Sequence, residues 1–147
     1  MAKPLGGVSK NLPLGKAMSA HITKALTTGS RMVCADNTGA KEIELISVRG
    51  YKGVRTRYPR AGIGDMIIAS VKKGKPEIRK QVIFAVIVRQ KQPYTRPNGT
   101  KIKFEDNAAV VLKDEKGNPK GTMLKGPIAK EACDRWPAVA KIAKMIV

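Results

Sequence analysis

Apolar residues fall along this chain in short, strand-spaced runs separated by turn residues. The longest run, VIFAVIV at residues 82–88, is almost unbroken β-branched and aromatic, as in a strand buried on both faces. A second run, AAVVL, follows at residues 108–112. Between them Asn98-Gly99 is the dipeptide that tolerates positive φ at both centres of a type I′ turn. The pattern predicts a β-hairpin with its roots in the core. Residues 31–35, 42–49 and 66–71 read as further strands. In 42–49 the alternation of Ile43 and Leu45 shifts phase to Ile46 and Val48, which is the mark of a β-bulge. Bulges bend strands where barrels close. After Gly126-Pro127 the spacing turns helical. Ile128, Ala132 and Trp136 share one side of a helix over 128–135, and Pro137 opens a second over 138–145 with Val139, Ile142, Ala143 and Ile146 on one stripe. Residues 17–27 fit either a short helix or a strand. Five or six strands followed by helices make a mainly β domain with an appendage, its body a small barrel or a sandwich.

Charge changes this picture from a fold into a surface. The 147 residues suit one domain, and 42% hydrophobic content supports a core that is aliphatic, since aromatics are 4%. Lys and Arg number 29 against 11 Asp and Glu, a net charge of +18 that points to a polyanion. A membrane is one candidate. However, no run of about 18 apolar residues exists and the N-terminus lacks a signal-peptide apolar core, so nucleic acid is preferred. Residues 1–30 read as a basic arm, 31–125 as the β body, and 126–147 as the helical end.

Three basic segments stand out. Residues 49–60, RGYKGVRTRYPR, carry Arg49, Lys52, Arg55, Arg57 and Arg60 without an acid, interleaved with Tyr51 and Tyr58. Arg, Lys and Gly grip phosphates, and tyrosines can stack on bases. Residues 72–80 add Lys72, Lys73, Lys75, Arg79 and Lys80. The hairpin arm, 89–104, adds Arg89, Lys91, Tyr94, Arg96, Asn98, Lys101 and Lys103. If Asn98-Gly99 is a two-residue loop, Arg96 faces Lys101 and Tyr94 faces Lys103, while Thr95 faces Ile102 and Pro93 faces Phe104. Like charges opposite one another are destabilising, so that face calls for an anion. Pro93 and Pro97 lack N–H donors, which suits a projecting arm, and the limb from 89 to 96 reaches ~26 Å.

AVIVRQ, RPNG and FEDNAAVVL, together with CADNTGA and AGIGDM, occur at spacings that resemble the universal large-subunit ribosomal protein family numbered fourteen. KGPIAKE and Trp136-Pro137 resemble its archaeal and eukaryotic branch. The likeness runs from about residue 32 to the C-terminus. It implies a small closed five-stranded antiparallel barrel with a projecting basic hairpin and short C-terminal helices. It also implies a structural component of the large subunit in the cytoplasmic ribosome. That component would sit on large-subunit ribosomal RNA near the subunit interface, touching small-subunit RNA, neighbouring ribosomal proteins and an anti-association initiation factor. The helices with Arg135, Trp136, Val139 and Ile142 are the expected protein-docking surface. Trp136 alternatively plugs the barrel end. The competing function is a free RNA-binding assembly or regulatory protein.

Catalysis is disfavoured. His21 is the only histidine, so a two-histidine metal site is excluded, and Ser-His-Asp chemistry needs a rigidly held base. Cys34 and Cys133 are too few for a metal knuckle and read as buried free thiols. Asp36, Asp65, Glu105 and Asp106 lie in or beside tight turns, where a nuclease site is the least favoured reading. Glu105-Asp106-Asn107 caps a turn or bulge, or shares a structural magnesium ion with RNA phosphates.

Overall fold

The computed structural model describes residues 20–147. Its centre is a closed barrel of five strands. They are β2 (Arg31–Cys34), β3 (Ala40–Val48), β5 (Met66–Gly74), β6 (Val82–Arg89) and β9 (Ala108–Leu112), hydrogen-bonded in that order. Neighbours run antiparallel except at the seam, where β2 and β9 are parallel, with Val33 opposite Ala108 and Cys34 opposite Ala109. β6 and β9, the two apolar runs, are paired and almost wholly buried. Ile43, Leu45, Ile67, Val86 and Ile87 fill the aliphatic core beside them.

The expected bulge lies in β3. Leu45 pairs with Ala69 and Ser47 with Ile68, so Ile46 has no partner. As the extra residue it turns outward, 43% exposed, and Val48 returns to the core. An inserted residue lets one strand bend while both flanks keep their apolar side inward.

The body begins earlier than a boundary at residue 31 allows. Ile22 and Leu26 are buried, and β1 (Leu26–Thr27) pairs with β4 (Arg60–Ala61). This resolves residues 20–27 as coil leading to a strand. The rest of the expected basic arm, residues 1–19, lies outside the described residues.

The helical end is shorter than the stripe predicts. α1 (Lys130–Arg135) and α2 (Pro137–Ile142) are each clipped, because their flanks form the parallel pair β10 (Pro127–Ile128) and β11 (Met145–Ile146). Lys130 N donates to Val147 O and Val147 N to Ile128 O, both at 2.9 Å. That pairing joins residues too far apart for helical spacing to reveal.

Candidate nucleic-acid interface

The hairpin is built from β7 (Tyr94–Thr95) and β8 (Lys101–Ile102), and its register differs by one from the two-residue-loop expectation. Tyr94 is opposite Ile102 and Thr95 opposite Lys101. In a two-residue loop Pro97 would sit where an N–H must donate to Thr100, and proline has none. Arg96 N supplies that bond instead, at 2.8 Å, and Gly99 N closes the turn on Arg96 O. Gly99 at φ +87° absorbs the extra residue. A one-residue slip exchanges the two faces. Tyr94 therefore turns inward, together with the half-buried Ile102 and buried Phe104.

Three expected RNA contacts are turned away from solvent, Tyr94 and Arg96 by this slip and Arg89 by its own partners. Tyr94 is 2% exposed, and its hydroxyl donates to Glu131 Oε2 at 2.6 Å. Arg96 Nε donates to Glu131 Oε1 at 2.7 Å, and its Nη2 to the Val147 carbonyl at 2.6 Å. Burial would raise the Glu131 pKa, but bonds from Arg96 and Tyr94 outweigh it and hold the carboxylate below its usual value. Burial and then Glu131 raise the Tyr94 phenol. Arg89 is 8% exposed. Its Nε lies 2.9 Å from Asp106 Oδ1, and Nη1 donates to the carbonyls of Lys125 and Pro127. A side chain at Gly126, whose φ is +77°, would collide with that guanidinium. The hairpin is thus fastened to the C-terminal end along one face. Lys91, Lys101, Lys103 and Asn98 remain exposed on the other. Asn98 Oδ1 accepts from Thr100 N at 3.0 Å, so it also shapes the turn.

The loop at 49–60 presents its cations differently. Arg49 pairs with Glu115 at 2.6 Å and is mostly covered. Lys52, Arg55, Arg57 and Arg60 are exposed, with no carboxylate in ion-pair range among the described residues. Tyr51 Oη donates to Arg57 O at 2.9 Å, and Arg57 N to Val54 O at 3.1 Å. Thr56 sits at φ +69°, where non-glycine residues are uncommon. Tyr58 is 78% exposed. Beneath the loop an open cleft of about 400 Å³ is lined by Lys24, Tyr51, Thr56, Arg57, Tyr58 and Arg60.

Residues 72–80 divide. Lys73 pairs with Glu42 at 2.8 Å and Lys72 with Glu44 at 3.7 Å, and Arg31 bridges both glutamates. These cations belong to a cross-strand charge ladder on the barrel wall. Lys75, Arg79 and Lys80 are exposed around the buried anchor Ile78. The Lys75 stem lies on Gly39, where a Cβ would come within 2.8 Å of it.

The acids of the tight turns serve the fold. Asp36 Oδ1 accepts from the Thr38 hydroxyl at 2.6 Å, and its Oδ2 from Val111 N at 2.7 Å. Asp65 accepts from Gly62 N at 2.9 Å and from Arg135 Nη1 at 3.0 Å, with Lys24 at 3.7 Å. Asn107 Oδ1 caps Lys91 N at 2.8 Å, the turn-capping role. Asp106 is engaged by Arg89, while Glu105 is exposed. No cluster of three or more metal-ligating side chains exists among the described residues. Burial, then the charge of Asp36, pushes the Cys34 thiol up to about 12, and burial pushes Cys133 up to about 11. Both are inert thiols at neutral pH.

The expected docking side chains are largely internal. Trp136 is 3% exposed, and its Nε1 donates to the Gly64 carbonyl at 2.7 Å. Its ring lies against Gly117, whose φ is +92° and where any Cβ would strike it. Trp136 is the core plug. Val139 is buried, Arg135 reaches Asp65, and Ile142 is half-buried. Three features escaped the sequence reading. Lys24 lines the cleft, and the only local signal was its place beside the apolar Leu26. Glu131 is the buried anchor of the hairpin, and the Met145–Val147 end is apolar and exposed.

Comparison with known proteins adds to this geometry. The family described as ribosomal protein L14p/L23e matches residues 25–147. The chain is similar to a protein of Methanococcus maripaludis named large ribosomal subunit protein uL14, 54% identical over 131 residues, covering 89% of this chain and 98% of the relative. A Haloarcula marismortui protein of the same name is 55% identical over 132 residues, 90% and 99% of the two chains. One from Halorubrum lacusprofundi is 53% identical over 132 residues, again 90% and 99%.

Proposed function

Because the chain belongs to the ribosomal protein L14p/L23e family, we propose that it is a structural component of the large ribosomal subunit that grips ribosomal RNA through phosphate. Its place of work is the cytoplasmic ribosome, and its role is structural rather than catalytic. The observation that carries the mechanism is the separation of cations into two sets. Lys24, Arg31, Arg49, Lys72, Lys73, Arg89, Arg96 and Arg135 are paired with carboxylates. Lys52, Arg55, Arg57, Arg60, Lys75, Arg79, Lys80, Lys91, Lys101 and Lys103 have no such partner among the described residues and face solvent. The second set gains most by displacing counterions from RNA phosphates.

The test is sedimentation of a tagged chain on a sucrose gradient, read together with its stoichiometry to large-subunit RNA. Roughly one copy per large subunit is expected, falling when Arg55, Arg57 and Arg60 are replaced together by Gln. Recovery only outside the particle would favour the free assembly or regulatory protein. As a finer part of the proposal, the exposed Met145–Val147 end and half-buried Ile142 form the protein-docking surface. Neighbouring ribosomal proteins and an anti-association initiation factor are its occupants, and small-subunit RNA lies across the interface. The support is an apolar, solvent-facing end on a chain of this family.

A further inference from the structure

We infer that the cleft under the 49–60 loop binds an unstacked nucleotide of single-stranded RNA, with the base on the Tyr58 ring and the phosphate on Arg57 and Arg60. This deepens the ribosomal RNA reading and rests on it.

The argument begins with Tyr58. In a chain with 4% aromatics, one ring stands 78% exposed rather than in the core. The loop holding it is built rather than slack. Tyr51 Oη bonds Arg57 O at 2.9 Å, Arg57 N bonds Val54 O at 3.1 Å, and Thr56 is held at φ +69°. Backbone in that region is costly for a β-branched residue and persists where surrounding contacts impose it. The two tyrosines and two arginines converge on one cleft of about 400 Å³, within the ~300–1,000 Å³ range of small-ligand sites. No carboxylate lines it.

The pairing of an accessible ring with clustered guanidiniums decides the form of the RNA. A duplex keeps its bases stacked and shows a protein mainly phosphate and ribose. Against a duplex, Arg57 and Arg60 would be useful and the Tyr58 ring would contribute little. A single strand offers the face of a base as well, and aromatic stacking on it is sequence-tolerant. The cleft is lined by both kinds of contact.

The experiment measures binding of the full chain to single-stranded RNA dodecamers of adenosine or uridine and to a duplex of the same length. Unfolding midpoints verify that each variant is folded. Tyr58→Ala should weaken single-strand binding about 5- to 100-fold and leave duplex binding unchanged. Tyr58→Phe should bind like the wild type, whereas Tyr58→Leu, which keeps bulk without a ring, should lose affinity as Ala does. Equal losses on duplex and single strand, or full binding by Tyr58→Leu, would overturn the proposal while leaving the ribosomal RNA reading in place. Normal single-strand binding by Tyr58→Ala would do the same. Absence of RNA binding by the wild type would overturn both.

Discussion

Two tyrosines and two arginines divide between the hairpin at 89–104 and the loop at 49–60. In the hairpin, Tyr94 is buried and Arg96 mostly covered, both bonded to Glu131. In the loop, Tyr58 and Arg57 face solvent, and Arg57 has no carboxylate partner among the described residues. Locally the segments look alike: basic, aromatic, Gly-containing and turn-rich. What separates them is one acid at a distance. Glu131 lies 37 residues beyond Tyr94, whereas Glu115, the distant acid that pairs with the loop among the described residues, takes only Arg49 at its root. Cation density along a chain therefore overstates an RNA surface wherever the fold returns a carboxylate to it.

The largest expected effect lies on the anchored side. Trp136, at the end of the helix that carries Glu131, and Tyr94 are both core side chains. Replacing either by Ala should cost about 3–5 kcal/mol in chemical denaturation. The same change at Tyr58 should stay within about 0.5 kcal/mol. Comparable losses at Tyr58 and Tyr94 would erase the distinction.

A smaller effect follows from the carboxylate itself. Glu131→Gln keeps the shape but removes the charge, and should cost about 1–3 kcal/mol. Its native pKa is lowered because the bonds from Arg96 and Tyr94 outweigh burial. The stability it contributes is therefore present above the unfolded carboxylate value, about 4.3, and is lost as pH falls through the native value. Thermal midpoints measured from pH 6 down to pH 3 should drop less steeply in Glu131→Gln than in the wild type.

The smallest effect is the most discriminating. In RNA titrations over a range of salt, Arg57→Ala should lower the log–log slope by about one with little change in stability. Arg96→Ala should lower stability and leave the slope nearly unchanged. Reversed results would move the RNA surface from the loop to the hairpin.

Most of the barrel was readable because it depends on local pattern: β-branched runs, turn residues, and one phase shift at Ile46. The hairpin register was misread because Asn98-Gly99 outweighed the missing N–H of Pro97. Helix ends were overextended because β10 and β11 pair across sequence. Among the basic residues, Arg49 is mostly covered beside Glu115, while Lys52, Arg55, Arg57 and Arg60 of the 49–60 loop were placed correctly on the surface. Arg89, Tyr94 and Arg96 were not, since Asp106 and Glu131 reach them only through the fold. Trp136 depended on the Gly64 carbonyl and the open face of Gly117, neither of which a helical stripe discloses.

The parallel seam between β2 and β9 has a consequence for when the barrel forms. Every other wall joins strands that follow one another within the barrel, so those hairpins can form as the chain emerges. The seam joins Val33 to Ala108, and loop-closure entropy opposes that contact until most of the barrel is made. Parallel, non-local pairings of this kind are slow to form. During synthesis the basic loops are thus present before the barrel is shut, on an open sheet whose free edges are β2 and the growing chain. A nascent chain exposing both a polycation and an unpaired edge is prone to mispairing. The order of closure makes early capture by RNA, or by a protein that covers the edge, a kinetic safeguard for this fold.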